Sequence, residues 1–350
     1  MSSNQIDESS IDNSGSWMSM DDGTQLYLHR WKAGASKTGA AAPKAVLHII
    51  HGMSEHAGRY ARLARRLGEE NIEIWAADER GHGKTAKNKQ NDPGKGGLLG
   101  HCADKDGFSR VTADIDFINR EIAKEYPGVP LFLMGHSWGS FIAQNYIENY
   151  DGASPVESAA GLSSGGKDPV NLAGCILSGT RGPDGIKIAA GAPLMISLAF
   201  ILGERRASVV ARALADGPYN KPFRPNRTDS DWLSRDEKEV DAFVADPLCG
   251  FLCSVGFYRD LIRALNRIHR PEETGKIKKE LPIYIFSGSA DPVGEMGASP
   301  TALATAYRKL GISDLETVLY PDARHETLNE TNRDEVIESL LSWILRHCKP

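Results

Sequence analysis

The sequence predicts an α/β protein with a mostly parallel sheet flanked by helices and a helical cap inserted late in the sheet. Three observations support this fold class. Short apolar stretches alternate with amphipathic ones, as in successive strand–helix–strand units. One apolar stretch runs directly into a serine that is flanked by glycines. The alternation breaks over residues 181–279 and then resumes before the end of the chain.

The strand candidates are short, and most are continuous apolar runs, which is typical of strands buried on both faces. They are Thr24–Lys32, Ala45–Ile50, Ile72–Ala77, Leu131–Met134, Ile176–Leu177, Ile283–Phe286 and Glu316–Leu319. The helix candidates repeat apolar residues three and four positions apart. The clearest are Arg59–Leu67, Phe108–Tyr126, Ser137–Tyr150 and a last helix that ends near Arg346. Residues 84–105 are predicted to be loop.

The chain divides into four parts. Residues 1–16 are rich in Ser, Asp and Asn, which predicts a disordered tail. Residues 17–180 and 280–350 carry the strand–helix alternation and form the α/β core. Residues 181–279 contain helical patterns, several prolines and no convincing strand, so we interpret them as a helical cap over the open end of the sheet. Residues 154–171 are a Ser/Gly-rich surface insertion.

Composition excludes some classes of function. The net charge of −5 over 350 residues argues against nucleic acid as a partner, since that needs a basic face. The start of the chain lacks the basic and apolar regions of a signal peptide, so a cytoplasmic location is expected. The longest apolar stretch, Ala189–Leu202, is shorter than the ~20 residues of a membrane span. The oligomeric state is left open.

The strongest motif is Gly135-His136-Ser137-Trp138-Gly139. An apolar strand runs into it and an amphipathic helix runs out, which is the setting of a nucleophile elbow. The glycines permit a tight turn, and the serine is left exposed above the sheet edge. Ser137 is therefore predicted to be a nucleophile.

A serine hydroxyl needs a base, and that base needs an acid to orient it. Asp291 and His325 each follow a late strand candidate, where α/β sheets place their sites, and they stand in the chain order Ser, Asp, His. Asp322 is a competing acid, but it is too close to His325 in sequence to lie on a separate strand loop. For the oxyanion hole, we expect the backbone N–H groups of Trp138 and of Met53, which follows the strand Ala45–Ile50.

No cofactor or metal is predicted. No G-x-G-x-x-G sequence opens a helix, and Asp78 stands where a phosphate-binding loop ending in Gly83-Lys84-Thr85 would need its first glycine. Cys249 and Cys253 have a spacing that fits one helix face. No paired histidine or further cysteine completes a zinc set around them.

These motifs together resemble the monoacylglycerol lipase and lysophospholipase branch of the α/β-hydrolases, which includes serine-aminopeptidase-type members. The resemblance covers about residues 17–345. Its further motifs are His51–Tyr60, Asp78–Gly83, Ser287–Gly294, Arg324–Glu326, Trp232–Asp236 and Asp246–Cys249. It implies the α/β-hydrolase fold, a Ser137–Asp291–His325 triad, hydrolysis of single-chain acyl esters and a position for Glu55 near an alcohol-binding pocket.

We interpret the chain as a serine carboxylester hydrolase that cleaves monoacylglycerols or lysophospholipids through an acyl-enzyme intermediate. The alternatives are a hydrolase of other small esters or aminoacyl amides, and a binding protein without catalysis on the same fold. In the cap, Leu194, Met195 and Leu198 are expected to line the acyl channel. Because Ala189–Leu202 is apolar on more than one side, reversible contact with a membrane or micelle is also expected. The other interpretation of that segment is ordinary packing onto the core.

Overall fold

The computed structural model describes residues 15–34, 42–149, 170–183, 197, 201–215 and 217–348. At its centre lies a sheet of eight strands. They are β1 (Ser16–Ser19), β2 (Gln25–Trp31), β3 (Ala45–Ile50), β4 (Ile72–Asp78), β5 (Leu131–His136), β6 (Gly174–Ser178), β7 (Ile283–Gly288) and β8 (Leu315–Tyr320). The strand order is β1-β2-β4-β3-β5-β6-β7-β8. β2 runs antiparallel to β1 and β4, whereas every other neighbouring pair is parallel.

Helices follow the strands on both sides of the sheet. They are α1 (Ala61–Glu69), α2 (Gly83–Lys87), α3 (Gly107–Glu125), α4 (Trp138–Asn149), α5 (Val209–Ala215), α6 (Glu237–Ala245), α7 (Val255–Ile268), α8 (Pro271–Thr274), α9 (Ala298–Lys309) and α10 (Arg333–His347). Alternate side chains of each central strand enter different cores, as the period of two requires. Leu131 and Leu133 pack with α3 and α4, while Phe132 and Met134 pack with α1 and α10. The predicted α/β-hydrolase architecture is confirmed.

The interval between β6 and β7 contains α5 to α8. Within the described part of this interval, no residue joins the central sheet, and a single bridge pairs Ala207 with Ser254. Leu194, Met195 and Leu198 lie outside the described residues, as do residues 1–14 and almost all of the 154–171 insertion. No helix in the described ranges is both long and apolar enough to cross a membrane.

Two short elements differ from the sequence prediction. β1 was not predicted, because it has only four residues, mostly exposed, and gains its order by pairing with β2. The predicted loop 84–105 contains α2, so the prediction is wrong at its start. There, the carboxylate of Asp78 accepts a hydrogen bond of 2.7 Å from the backbone N–H of Lys84 in the first turn of that helix. The acceptor is the last residue of the preceding strand β4, whereas the N-cap position itself is His82, which makes no side-chain cap, so the usual capping signal is missing.

Candidate active site

Ser137 occupies the sharp turn between β5 and α4. Its φ of +53° lies in the left-handed region, which is rare for a residue with a side chain. The backbone holds this conformation with two hydrogen bonds of 2.9 Å: Ser137 N–H donates to the Ser178 carbonyl, and Ser140 N–H donates to the Ser137 carbonyl. Such backbone strain is found where a fold fixes a functional side chain. The geometry is that of the nucleophile elbow.

Glycines on either side of Ser137 are required by close backbone approach. A Cβ at Gly135 would overlap the backbone of Gly139, and a Cβ at Gly139 would overlap the carbonyl groups of Ile50 and His51. The turn therefore packs against itself and against the end of β3 with no room for side chains. This contact brings the elbow next to the loop that follows β3.

The structure brings Asp291 and His325 together. His325 Nδ1 lies 3.0 Å from both carboxylate oxygens of Asp291, and both side chains are buried. Asp291 Oδ1 also accepts the Val293 N–H at 2.8 Å, and Oδ2 accepts the Ser287 hydroxyl at 3.0 Å. The competing Asp322 is exposed, and its N–H donates to the Ser289 hydroxyl on the rim of the loop.

Electrostatics favour an ionised Asp291 beside a basic His325. Burial raises the pKa of Asp291, but the charge of His325 and hydrogen bonds with three groups, His325, Val293 and Ser287, lower it by more, so the net shift is downward. Burial lowers the pKa of His325, but the charge and hydrogen bond of Asp291, with the charges of Glu326 and Glu55, more than offset this, so that pKa ends above its ordinary value. An anionic carboxylate fixed at Nδ1 leaves Nε2 as the nitrogen that exchanges a proton.

The two residues predicted to donate to the oxyanion lie on different elements: Met53 follows β3, and Trp138 is the first residue of α4. Met53 and Trp138 both line the cavity that contains Ser137 and His325. Neither backbone N–H donates to an acceptor within the described ranges. The Trp138 ring stacks on His82 with centroids 5.2 Å apart and also contacts Phe257, so it forms a wall of this cavity.

Buried carboxylates fix the loop after β3. Gly52 N–H donates to Glu55 Oε1 at 2.5 Å, and Ala57 N–H donates to Asp78 Oδ1 at 3.0 Å. Glu55, predicted near an alcohol-binding pocket, lines the cavity and is 3% exposed. In the sequence, Asp78 excludes a phosphate-binding loop and opens the resemblance motif Asp78–Gly83, but neither pattern predicts its hydrogen bond with Ala57. Its contribution to the site depends on a contact across 21 residues.

Two further residues pack against the imidazole of His325. The His136 ring lies 4.9 Å away, centroid to centroid, and its pKa is lowered to about 4 by burial and by His325, so it is neutral near pH 7. The Trp232 ring lies 5.1 Å away, and the Trp232 carbonyl accepts the His325 N–H at 3.4 Å. Trp232 belongs to the interval between β6 and β7, so this interval contacts the histidine loop. Sequence reasoning had no signal for either contact.

His56, Asp246 and Cys249 form a group of metal-ligand type within the described ranges, with ligand atoms within 4.8 Å of one another. His56 Nδ1 accepts the Gly58 N–H at 3.2 Å, so the ring proton resides on Nε2, 2.9 Å from Asp246 Oδ2. A metal at Nε2 would move that proton to Nδ1, where it would face the Gly58 N–H, so two donors would point at each other. The group is therefore a hydrogen-bonded link between two loops. Cys249 and Cys253 precede α7 and do not share a helix face.

The sheet, the elbow and the acid and histidine loops define an α/β-hydrolase. The chain belongs to the family described as serine aminopeptidase, S33, which matches residues 41–332. Monoacylglycerol lipase of Mycolicibacterium smegmatis is 26% identical over 307 residues, covering 87% of this chain and 89% of that protein. Monoglyceride lipase of Homo sapiens is 28% identical over 278 residues, covering 77% and 71%.

Among solved structures, a thermostable carboxyl esterase from Bacillus coagulans shares the fold. Its TM-score is 0.80 at 24% identity, and the match covers 96% of this chain and 99% of that one. The comparisons confirm the predicted branch of the α/β-hydrolases and identify the chain as an enzyme, a carboxylic ester hydrolase.

Proposed function

We propose that this enzyme uses Ser137 as nucleophile to cleave single-chain acyl esters such as monoacylglycerols or lysophospholipids. The observation that carries the proposal is one cavity that contains Ser137 and His325 and is walled mostly by apolar side chains. The apolar residues of the wall include Phe141, Leu233, Phe243, Phe251, Leu261 and Leu265. An alkyl chain gains about 0.8 kcal/mol for each methylene removed from water, so this wall favours an acyl group.

The proposed reaction has two halves. Ser137 Oγ attacks the ester carbonyl while its proton passes to His325 Nε2, and the N–H groups of Met53 and Trp138 stabilise the oxyanion. The ester C–O bond then breaks, and the alcohol leaves with the proton from His325. Water attacks the acyl-enzyme with its proton passing to His325. The Ser137 Oγ–acyl bond then breaks, the acid is released, and His325 returns the proton to Ser137 Oγ. Asp291 remains ionised and stabilises the imidazolium throughout.

We further propose that residues 181–279 act as a cap that holds the acyl chain and contacts lipid surfaces. Apolar side chains there face water: Ile201 is 74% exposed and Val209 is 67% exposed, with Val210 and Leu214 also exposed. Exposed apolar side chains of this density favour an interaction surface. Two of the relatives named above are called monoacylglycerol or monoglyceride lipase, which fits a substrate presented at an interface.

An activity panel tests the substrate class. It compares monoacylglycerols, lysophospholipids, p-nitrophenyl esters of short and long acyl chains, and aminoacyl amides. The proposal expects the highest kcat/KM for a long single-chain ester. A preference for aminoacyl amides would fit the family's description as serine aminopeptidases. It would replace the proposed lipid esterase with the alternative, a hydrolase of aminoacyl amides. Absence of all hydrolysis would leave a binding protein on this fold.

A further inference from the structure

A buried cluster of three charges joins the oxyanion loop to the histidine loop. Arg59 Nη1 donates to Glu55 Oε2 at 2.7 Å and to Glu326 Oε1 at 2.7 Å, while Nη2 donates to Glu326 Oε2 at 2.6 Å. The three side chains are 12%, 4% and 6% exposed in the order Arg59, Glu55, Glu326. Two carboxylates and one guanidinium give the cluster a net charge of −1.

Each carboxylate is connected directly to a part of the proposed machinery. Glu55 accepts the N–H of Gly52, the residue before the oxyanion donor Met53. Glu326 is the chain neighbour of His325, and its own N–H donates to the Leu233 carbonyl at 2.8 Å. The planar fork of one guanidinium therefore sets the distance between the two loops, since it bonds both carboxylates at once.

The charges of the cluster also act on the imidazole of His325. The ionisable groups that act on His325 come from four segments of the chain, and they are Asp291, His136, Glu55 and Glu326. Burial raises the pKa of Glu55, but the charge of Arg59, the charges of His136 and His51 and the Gly52 hydrogen bond together outweigh it and bring that pKa to about 2. The pKa of Glu326 is lowered by Arg59 in the same way, against burial. The net charge of the cluster is thus constant across the neutral range.

We propose that Arg59 is a positioning residue: its paired bonds to Glu55 and Glu326 hold the oxyanion loop and the histidine loop in register and fix a negative charge beside His325. This inference rests on the proposed triad. A positioning role is distinct from a role in stability alone. Buried ion pairs can often be replaced by apolar residues without loss of stability, so stability alone does not require these charges. The effect of the guanidinium geometry and the effect of the negative charge on His325 can be measured with different substitutions.

Arg59→Lys keeps the positive charge but loses the fork. An ammonium cannot place two parallel bonds on Glu326 while it also bonds Glu55. We expect kcat to fall about tenfold with little change in KM, because misplaced groups cost rate more than binding. The acid limb of the pH profile stays where it is. Arg66→Lys, on a partly exposed cation of α1 that pairs with Glu338, is the matched control and leaves both quantities unchanged.

Glu326→Gln keeps the shape but removes one negative charge near His325. The imidazolium loses stabilisation, so the acid limb of kcat/KM moves to lower pH by about one pH unit. Glu55→Gln is expected to move the limb in the same direction, and it serves as a second, independent variant. A purely structural role predicts loss of folded protein without any movement of the limb. Titration of competent sites with a fluorophosphonate normalises every rate to folded enzyme.

The deciding experiment is the set of pH profiles for wild type, Glu326→Gln, Glu55→Gln and Arg59→Lys on one ester. Movement of the limb in the two Gln variants, with a lower rate and unmoved limb in Arg59→Lys, supports the inference. If the wild type hydrolyses the ester but neither Gln variant moves the limb, the inference fails and the triad stands. If the wild type shows no hydrolysis and no labelling, the proposed function itself fails.

Discussion

His325 Nδ1 lies 3.0 Å from each carboxylate oxygen of Asp291, and this pair joins the loops that follow two adjacent parallel strands. The carboxylate fixes which nitrogen carries the proton, so the opposite nitrogen is free to act on a serine. The pair is buried, and the surrounding low dielectric strengthens its attraction.

Asp291→Asn should lower kcat by about 10⁴-fold while the fold stays intact. The amide has a similar shape, but it cannot stabilise the imidazolium, and it can present an N–H that favours the wrong tautomer. Steady-state kinetics on one p-nitrophenyl ester measures the loss. Asp322→Asn is the control, since that exposed carboxyl makes no contact with His325. A larger effect at Asp322 than at Asp291 would show that the acid is assigned incorrectly.

The pH profile of kcat/KM should have an acid limb above 6.5, the ordinary pKa of histidine. His325 accepts a proton only when it is neutral, and the carboxylate of Asp291 raises its pKa despite burial. The rate therefore falls as the pH drops through that raised value. His325→Ala should remove the limb together with the activity. A profile that stays flat down to pH 4 is incompatible with this base.

Asp78→Ala should lower the free energy of unfolding by about 3 kcal/mol, because it leaves the buried N–H of Ala57 and the partly buried N–H of Lys84 without their acceptor. Urea denaturation followed by circular dichroism measures the change. Asp92→Ala is the matched control: it removes an exposed carboxylate that, among the described residues, accepts a single hydrogen bond, from the Gly94 N–H, and we expect it to cost about 1 kcal/mol. Equal losses at the two positions would contradict the role given to Asp78.

Ile201→Glu and Val210→Glu should each weaken binding to liposomes about tenfold, since each removes a large apolar side chain from the proposed contact. Hydrolysis of a short water-soluble ester should stay within twofold of the wild type. Trp17→Glu is the control, because Trp17 is an exposed apolar residue on β1 at the edge of the sheet. Liposome binding that is unchanged in both cap variants would remove lipid contact from the proposal.

The core strands and the chain order of the site residues could be predicted from the sequence, because both depend on patterns within short segments of the chain. Continuous apolar runs mark β3, β5 and β7, and the glycines around Ser137 mark the tight turn. The position of Asp291 and His325 follows from a rule of topology, since parallel strands end at the same edge. These signals need no knowledge of distant contacts.

The rest of the site depends on contacts between residues far apart in sequence. Arg59 and Glu326 are 267 positions apart, and Trp232 and His325 meet only when the interval between β6 and β7 folds over the sheet. Asp78 and Ala57 are 21 positions apart, and their hydrogen bond holds the loop after β3. Periodicity and motif spacing contain no information on such pairs.

Covalent labelling of Ser137 tests the central claim most directly. Wild type and Ser137→Ala are treated with a fluorophosphonate probe, the labelled peptide is mapped by mass spectrometry, and ester hydrolysis is measured in parallel. We expect the wild type to carry the label on Ser137, and Ser137→Ala to lose both the label and at least about 10⁴-fold in kcat. Labelling of another serine, or ester hydrolysis that survives in Ser137→Ala, would contradict the account.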